Sequence, residues 1–182
     1  MKFELKVNTD LSLKLRGLSD AKKFFEITNK NRVHLRKWFP WVDATKTVDA
    51  TEKYIQHCLN TFKNKKSFDL GIWYKGSWVG SIGFHNIDMK NKNGQIGYWL
   101  DKEHEGKGIV TKSTEALINY GFSKLKLNRI EIGCATKNIK SCAIPKRLNL
   151  KFEGIRRDGE WLYDHFVDIK IYSVLKKEWK LK

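Results

Sequence analysis

The segment Gly97-Tyr98-Trp99-Leu100-Asp101-Lys102-Glu103-His104-Glu105-Gly106-Lys107-Gly108-Ile109-Val110 holds the residues best suited to chemistry. An apolar alternating run ends, a glycine-bearing turn follows, and a pattern of helical period begins. The first N–H groups of such a helix have no partner within it, and with the helix dipole they form an anion site. Gly106 and Gly108 let the backbone approach a diphosphate closely, and Lys107 adds a positive charge. By itself a GxG at a strand–helix junction reads first as a plain structural turn. It is not a Walker loop, lacking the GK[ST] ending, nor a dinucleotide fingerprint, lacking GxGxxG.

Two further groups stand out. Asn138-Ile139-Lys140-Ser141 follows an alternating run at Arg129-Ile130-Glu131-Ile132. Asn138 is a good helix N-cap, which places Ser141 in the first turn; the residues alone require no more than a capped helix. Leu35-Arg36-Lys37-Trp38-Phe39-Pro40-Trp41-Val42-Asp43 sets two tryptophans on a loop, as core or as a lid. For proton transfer His85 has a suitable intrinsic pKa, and Asp88 and Glu131 offer carboxylates. The three cysteines, Cys58, Cys134 and Cys142, are odd in number and lack CxxC spacing, so no metal site or disulfide framework is expected.

Together these segments resemble the GNAT superfamily of acetyl-CoA-dependent N-acetyltransferases, on the branch that includes bacterial ribosomal-protein serine acetyltransferases. Glu105 to Val110 looks like that family's pyrophosphate loop, Gln/Arg-x-x-Gly-x-Gly/Ala. Gly108 fits the firm position; Glu105 and Val110 depart from the first and last. Ile96-Gly97-Tyr98-Trp99-Leu100 before the loop has the branch's look, as do Asp168 to Leu175 and Lys177-Glu178-Trp179. Asn149-Leu150 replaces the usual Gly-Phe.

The resemblance implies roles. Acetyl-CoA would be held by Tyr98, Trp99, Leu100, Glu105, Gly106, Lys107, Gly108, Ile109, Val110, Asn138 and Ser141. Asn138 would bond the pantetheine arm, and Ser141 would protonate the leaving thiolate. A backbone N–H around Trp99-Leu100 would meet the thioester oxygen as charge develops there. Trp38 and Trp41 would line the acceptor side. Many relatives have an acid where this chain has Gln95, which cannot take a proton but can orient a water. His85, Asp88, Glu131 and a water chain remain as routes for the amine's proton.

The elements that must position these residues follow from periodicity. Short strands are expected at 3–7 and 11–16, helices at 21–29, 32–37 and 47–64, and a meander of strands at 68–74, 78–87 and 95–100, with 91–94 a loop. A helix at 109–124, a strand at 129–134, a helix at 139–148 and strands at 151–157 and 162–175 complete the chain. The order is α+β. With the resemblance it implies one GNAT domain over 1–182, a mixed central sheet flanked by helices.

With 182 residues, 41% of them hydrophobic, the chain can fill a core. No apolar stretch suits a signal peptide or a membrane span, and a cytoplasmic location is the simple expectation. The net charge of +16 favours an anionic ligand or an acidic partner. Its lysines are spread along the chain among asparagines, without a nucleic-acid motif, so no specific nucleic-acid partner is expected. The expected reaction is acetyl transfer from acetyl-CoA to a primary amine, such as the N-terminus of an acidic ribosomal protein. The alternatives are a small-molecule N-acetyltransferase for a polyamine, aminoglycoside or amino acid, and a non-catalytic acyl-CoA-binding module. A homodimer is permitted, not required.

Overall fold

A computed structural model describes residues 2–64 and 66–180. Eight strands form one sheet: β1 (Glu4–Lys6), β2 (Leu11–Leu15), β3 (Phe68–Tyr74), β4 (Ser77–Asp88), β5 (Asn93–Leu100), β6 (Arg129–Ala135), β7 (Lys151–Leu162) and β8 (His165–Leu175). Their spatial order is β1-β2-β3-β4-β5-β6-β8-β7. The helices are α1 (Ala21–Lys30), α2 (Arg32–Arg36), α3 (Val48–Lys63), α4 (Ile109–Ser123) and α5 (Ile139–Arg147).

Local chemistry sets the hairpins. Lys75 and Gly76 both have positive φ, 49° and 76°, and join Tyr74 to Ser77 in a tight two-residue turn. The expected β3–β4–β5 meander is present and antiparallel. The β5–β6 pair is parallel, with α4 as the crossover that such a pair requires.

Alternation along the strands feeds two cores. Ile82, Phe84, Ile96, Ile130 and Ile132 pack with Ile109, Leu117, Ile118 and Phe122 of α4 on one face. Trp78 and Trp99 pack with Phe24 of α1 and Leu35 of α2 on the other. Gly121 lets α4 settle on the sheet: a Cβ there would lie 2.7 Å from Phe84 Cζ and 2.9 Å from Ile130 Cδ1.

Two boundaries differ from the sequence reading. Asn93 and Gly94 belong to β5, not to a loop, because they pair with Arg129 and Ile130 of β6. Strand β7 runs on to Leu162 instead of ending at 157, and the turn lies at Tyr163-Asp164. A bulge causes this: pairing jumps from Arg156↔Ile169 to Glu160↔Val167, and the Asp158 N–H is held by Asp168 Oδ1 at 2.9 Å. Arg157-Asp158-Gly159 therefore reads as a break although the ladder continues beyond it.

Candidate active site

The glycine loop has the shape its residues predict. Gly106 and Gly108 have φ of 78° and 72°, and a Cβ on either would meet nothing within 4 Å, so both face open space. Gly108 caps α4, and the first helical bond runs from Lys112 N–H to Gly108 O at 3.0 Å. The N–H groups of Ile109, Val110 and Thr111 consequently have no partner inside the helix. This open, amide-lined cradle beside Lys107 fits a diphosphate.

Beside the cradle the sheet splits. Strand β5 pairs with β6 only over Asn93–Gln95, whereas β6 stays paired with β8 to Ala135. The Asp101 N–H donates to Val79 O at 2.7 Å. By strand alternation Trp99 and Gly97 also turn their backbone groups toward β4, so those of Tyr98 and Leu100, beyond the last β5–β6 pair, face the split. This slot presents unpaired peptide groups of the kind that the two amides of a pantetheine arm can satisfy.

The slot is bridged at one point. Asn138 caps α5, its Oδ1 accepting the Ser141 N–H at 3.2 Å. Pro145 stands four residues after Ser141 and has no N–H, which leaves the Ser141 carbonyl without its helical donor. The Tyr98 hydroxyl donates to that carbonyl at 3.0 Å, and the Ser141 Oγ lies 3.5 Å from the same hydroxyl. Burial raises the Tyr98 phenol above its ordinary pKa, so it stays protonated.

A cavity of about 490 Å³ joins the slot to the opposite face, and its walls include Tyr98, Trp99, Asn138 and Ser141 together with Trp38, Trp41 and His85. The tryptophans sit on a lip stapled by Arg32, which donates to Val42 O and, at 2.7 Å, to Thr45 O. The Tyr163 hydroxyl ties that lip to the β7–β8 hairpin through Phe39 O at 3.1 Å. The Trp41 ring lies 6.2 Å from that of Trp99. His85 lies against Gly97, where a Cβ would come within 3.1 Å of its ring.

Gln95 and the two carboxylate candidates lie outside this wall. Gln95 accepts from Asn86 Nδ2 at 3.2 Å and donates to Glu131 Oε2 at 3.4 Å. Glu131 is neutralised by Arg129, at 2.8 Å from Nε and 2.6 Å from Nη2. Asp88 holds a turn, accepting the Asn91 N–H at 2.9 Å, which lowers its pKa. The same Arg129 holds the Glu153 carboxyl down to about 2.

Sequence reasoning missed two groups in the cavity wall. Glu160 lines it from β7 and has no ion-pair or hydrogen-bond partner among the described residues. The bulge between Arg156 and Glu160 sets its register, and no local pattern announces that. Asp69 also lines it, paired to buried Arg16 at 2.5 Å and bonded by the Tyr54 hydroxyl. Arg16 in turn donates to Ser81 Oγ at 2.8 Å. Lone polar residues in apolar strands gave no signal that they would meet. Cys134 reaches the wall as well, its thiol pKa raised by burial. No cluster of metal-ligating side chains occurs among the described residues.

A family model described as acetyltransferase (GNAT) domain matches residues 12–151. A putative ribosomal N-acetyltransferase, YdaF of Bacillus subtilis (strain 168), is 36% identical over 179 residues, covering 98% of each chain. Among solved structures, the microcin C7 self immunity acetyltransferase MccE in complex with acetyl-CoA and AMP is 32% identical, with a TM-score of 0.90 over 93% of this chain and 94% of that one. The ribosomal L7/L12 alpha-N-protein acetyltransferase RimL in complex with coenzyme A is 25% identical, with a TM-score of 0.92 over 95% and 98%.

Proposed function

Since the chain belongs to the GNAT acetyltransferase family and is an N-acetyltransferase that uses acetyl-CoA, we propose that its acceptor is a protein N-terminus, such as that of a ribosomal protein. One observation carries this reading. At Trp38 and Ala135 the cavity continues into a groove of about 1030 Å³ between α2 and the β7–β8 hairpin. A groove of that size suits an extended chain that brings its terminal amine to the cavity. Arg36, Lys37 and Lys137 line it together with Asp158, Asp164 and Asp168, so the groove is charge-balanced, and the preference for an acidic chain rests on the net charge of +16. YdaF and RimL, both similar over nearly the whole chain, carry names that refer to ribosomal acetylation.

Acetyl-CoA supplies a thioester with an electrophilic carbonyl carbon and a sulfur that departs as a thiol. The chain's residues handle protons and charge. Glu160 takes the proton from the attacking amine, supplying the carboxylate that Gln95 cannot. A β5 amide facing the split, Tyr98 or Leu100, donates to the carbonyl oxygen where negative charge builds. Ser141 gives its hydroxyl proton to the departing sulfur and is resupplied by solvent. Trp38, Trp41 and Trp99 enclose the amine and exclude water.

The test is thiol release from acetyl-CoA with a panel of N-terminal peptides, polyamines, aminoglycosides and amino acids. Peptides with acidic residues after the first few positions are expected to give the highest kcat/KM. A polyamine or aminoglycoside exceeding every peptide would refute the acceptor assignment.

A further inference from the structure

Glu105 opens the pyrophosphate loop where the family has a neutral or basic residue. A carboxylate beside a diphosphate repels it unless its charge is already engaged. The structure pairs that carboxylate with a lysine and sets an imidazole beside it. Lys140 Nζ on α5 binds Glu105 Oε2, and His34 Nε2 on α2 lies 3.3 Å from Oε1. His34 and Glu105 are about a quarter exposed, 26% and 25%, whereas Lys140 is 75% exposed, so the tie to α5 is a partly screened ion pair.

The elements joined are the ones that bound the site. Helix α2 runs directly into the lip with Trp38 and Trp41, and Lys140 immediately precedes Ser141. One side chain thus links the cofactor loop, the acceptor lip and the helix bearing the proposed acid. Neighbouring ties hold only the stem: Asn31 Oδ1 accepts the Lys102 N–H at 3.0 Å, and Lys30 Nζ binds Glu103 at 2.6 Å. Neither of these contacts reaches α5.

We propose that Glu105 is a positioning residue, a clasp that transmits cofactor binding at the loop to the acceptor lip. Bound coenzyme A holds residues 32–43 over the cavity, and an acceptor in the cavity tightens the cofactor in return. This rests on the acetyl-CoA reading of the loop and is independent of which amine is the acceptor.

Hydrogen–deuterium exchange of wild type and Glu105→Gln, with and without coenzyme A, tests it. Glutamine has the same shape, and its unliganded exchange map checks the fold. In wild type, coenzyme A slows exchange in 106–112 and, by about threefold, in 32–43, the scale set by partly exposed ion pairs. In Glu105→Gln only 106–112 is slowed. With a turned-over acceptor, its KM rises about threefold in Glu105→Gln and is recovered by Glu105→Asp, which keeps the charge. Equal slowing of 32–43 in wild type and Glu105→Gln overturns the clasp. Wild-type protein in which 106–112 is not slowed overturns the cofactor assignment of the loop itself.

Discussion

Removing the Ser141 hydroxyl and removing the Tyr98 hydroxyl should have different consequences, because the two groups touch but are committed differently. The Tyr98 proton is used on the Ser141 carbonyl, the acceptor that Pro145 leaves open. The Ser141 hydroxyl is held only by a long 3.5 Å contact to the Tyr98 oxygen, which it can leave for the sulfur. General acids contribute about 10²–10⁴-fold, and a thiol of ordinary pKa near 8.5 needs the lower end of that help. Ser141→Ala is therefore expected to lower kcat about a hundredfold, some 2.7 kcal/mol, at saturating acetyl-CoA. Tyr98→Phe keeps the ring but strands a buried carbonyl, at about 1–3 kcal/mol of stability. In a chain of this size that is a fall in Tm of roughly 2–12 °C. Its kcat should fall about tenfold at most, through loosened placement of Ser141. Pro145→Ala restores the missing N–H donor, so Tyr98→Phe/Pro145→Ala should regain stability relative to Tyr98→Phe. Thiol-release kinetics and thermal melts read both quantities. A loss of kcat in Tyr98→Phe as large as in Ser141→Ala would make the phenol the acid. A double variant no more stable than Tyr98→Phe would refute the role given to the proline.

Glu160→Gln is expected to lower kcat/KM by at least a hundredfold and to remove the acidic limb of its pH profile; an unchanged profile would return the base to His85 or a water chain. Glu153, lowered to about 2 by Arg129, stabilises the fold fully above its unfolded value and loses that contribution as pH falls toward 2. Its side chain is 34% exposed, so after solvent screening the contribution is about 1 kcal/mol. The Tm gap between wild type and Glu153→Gln should be present at pH 6 and shrink by pH 3, and a gap that widens on acidification would contradict this sign. Gly121→Ala drives a Cβ to 2.7 Å from Phe84 Cζ and should destabilise the protein by about 1–3 kcal/mol in denaturant titrations, despite alanine's better helix propensity.

Features that depend on near neighbours in the chain were legible from residue order. Period-2 and period-3.6 patterns placed the strands and helices, Lys75-Gly76 made its hairpin turn, and Asn138 capped its helix. Gly106 and Gly108 marked the cradle because only local backbone conformation is at issue there. Folding settled what depends on register between distant strands. It turned Gln95 toward Glu131, and Glu131 toward Arg129, outside the cavity wall, and it brought Glu160 into that wall past a bulge. It also set the Tyr98 phenol on a carbonyl freed by Pro145, and gave Glu105 partners on two helices. Pairing across a sheet is set by the summed packing of both faces, and a shift of one residue reverses which side chains reach a site. No window of local sequence contains that sum.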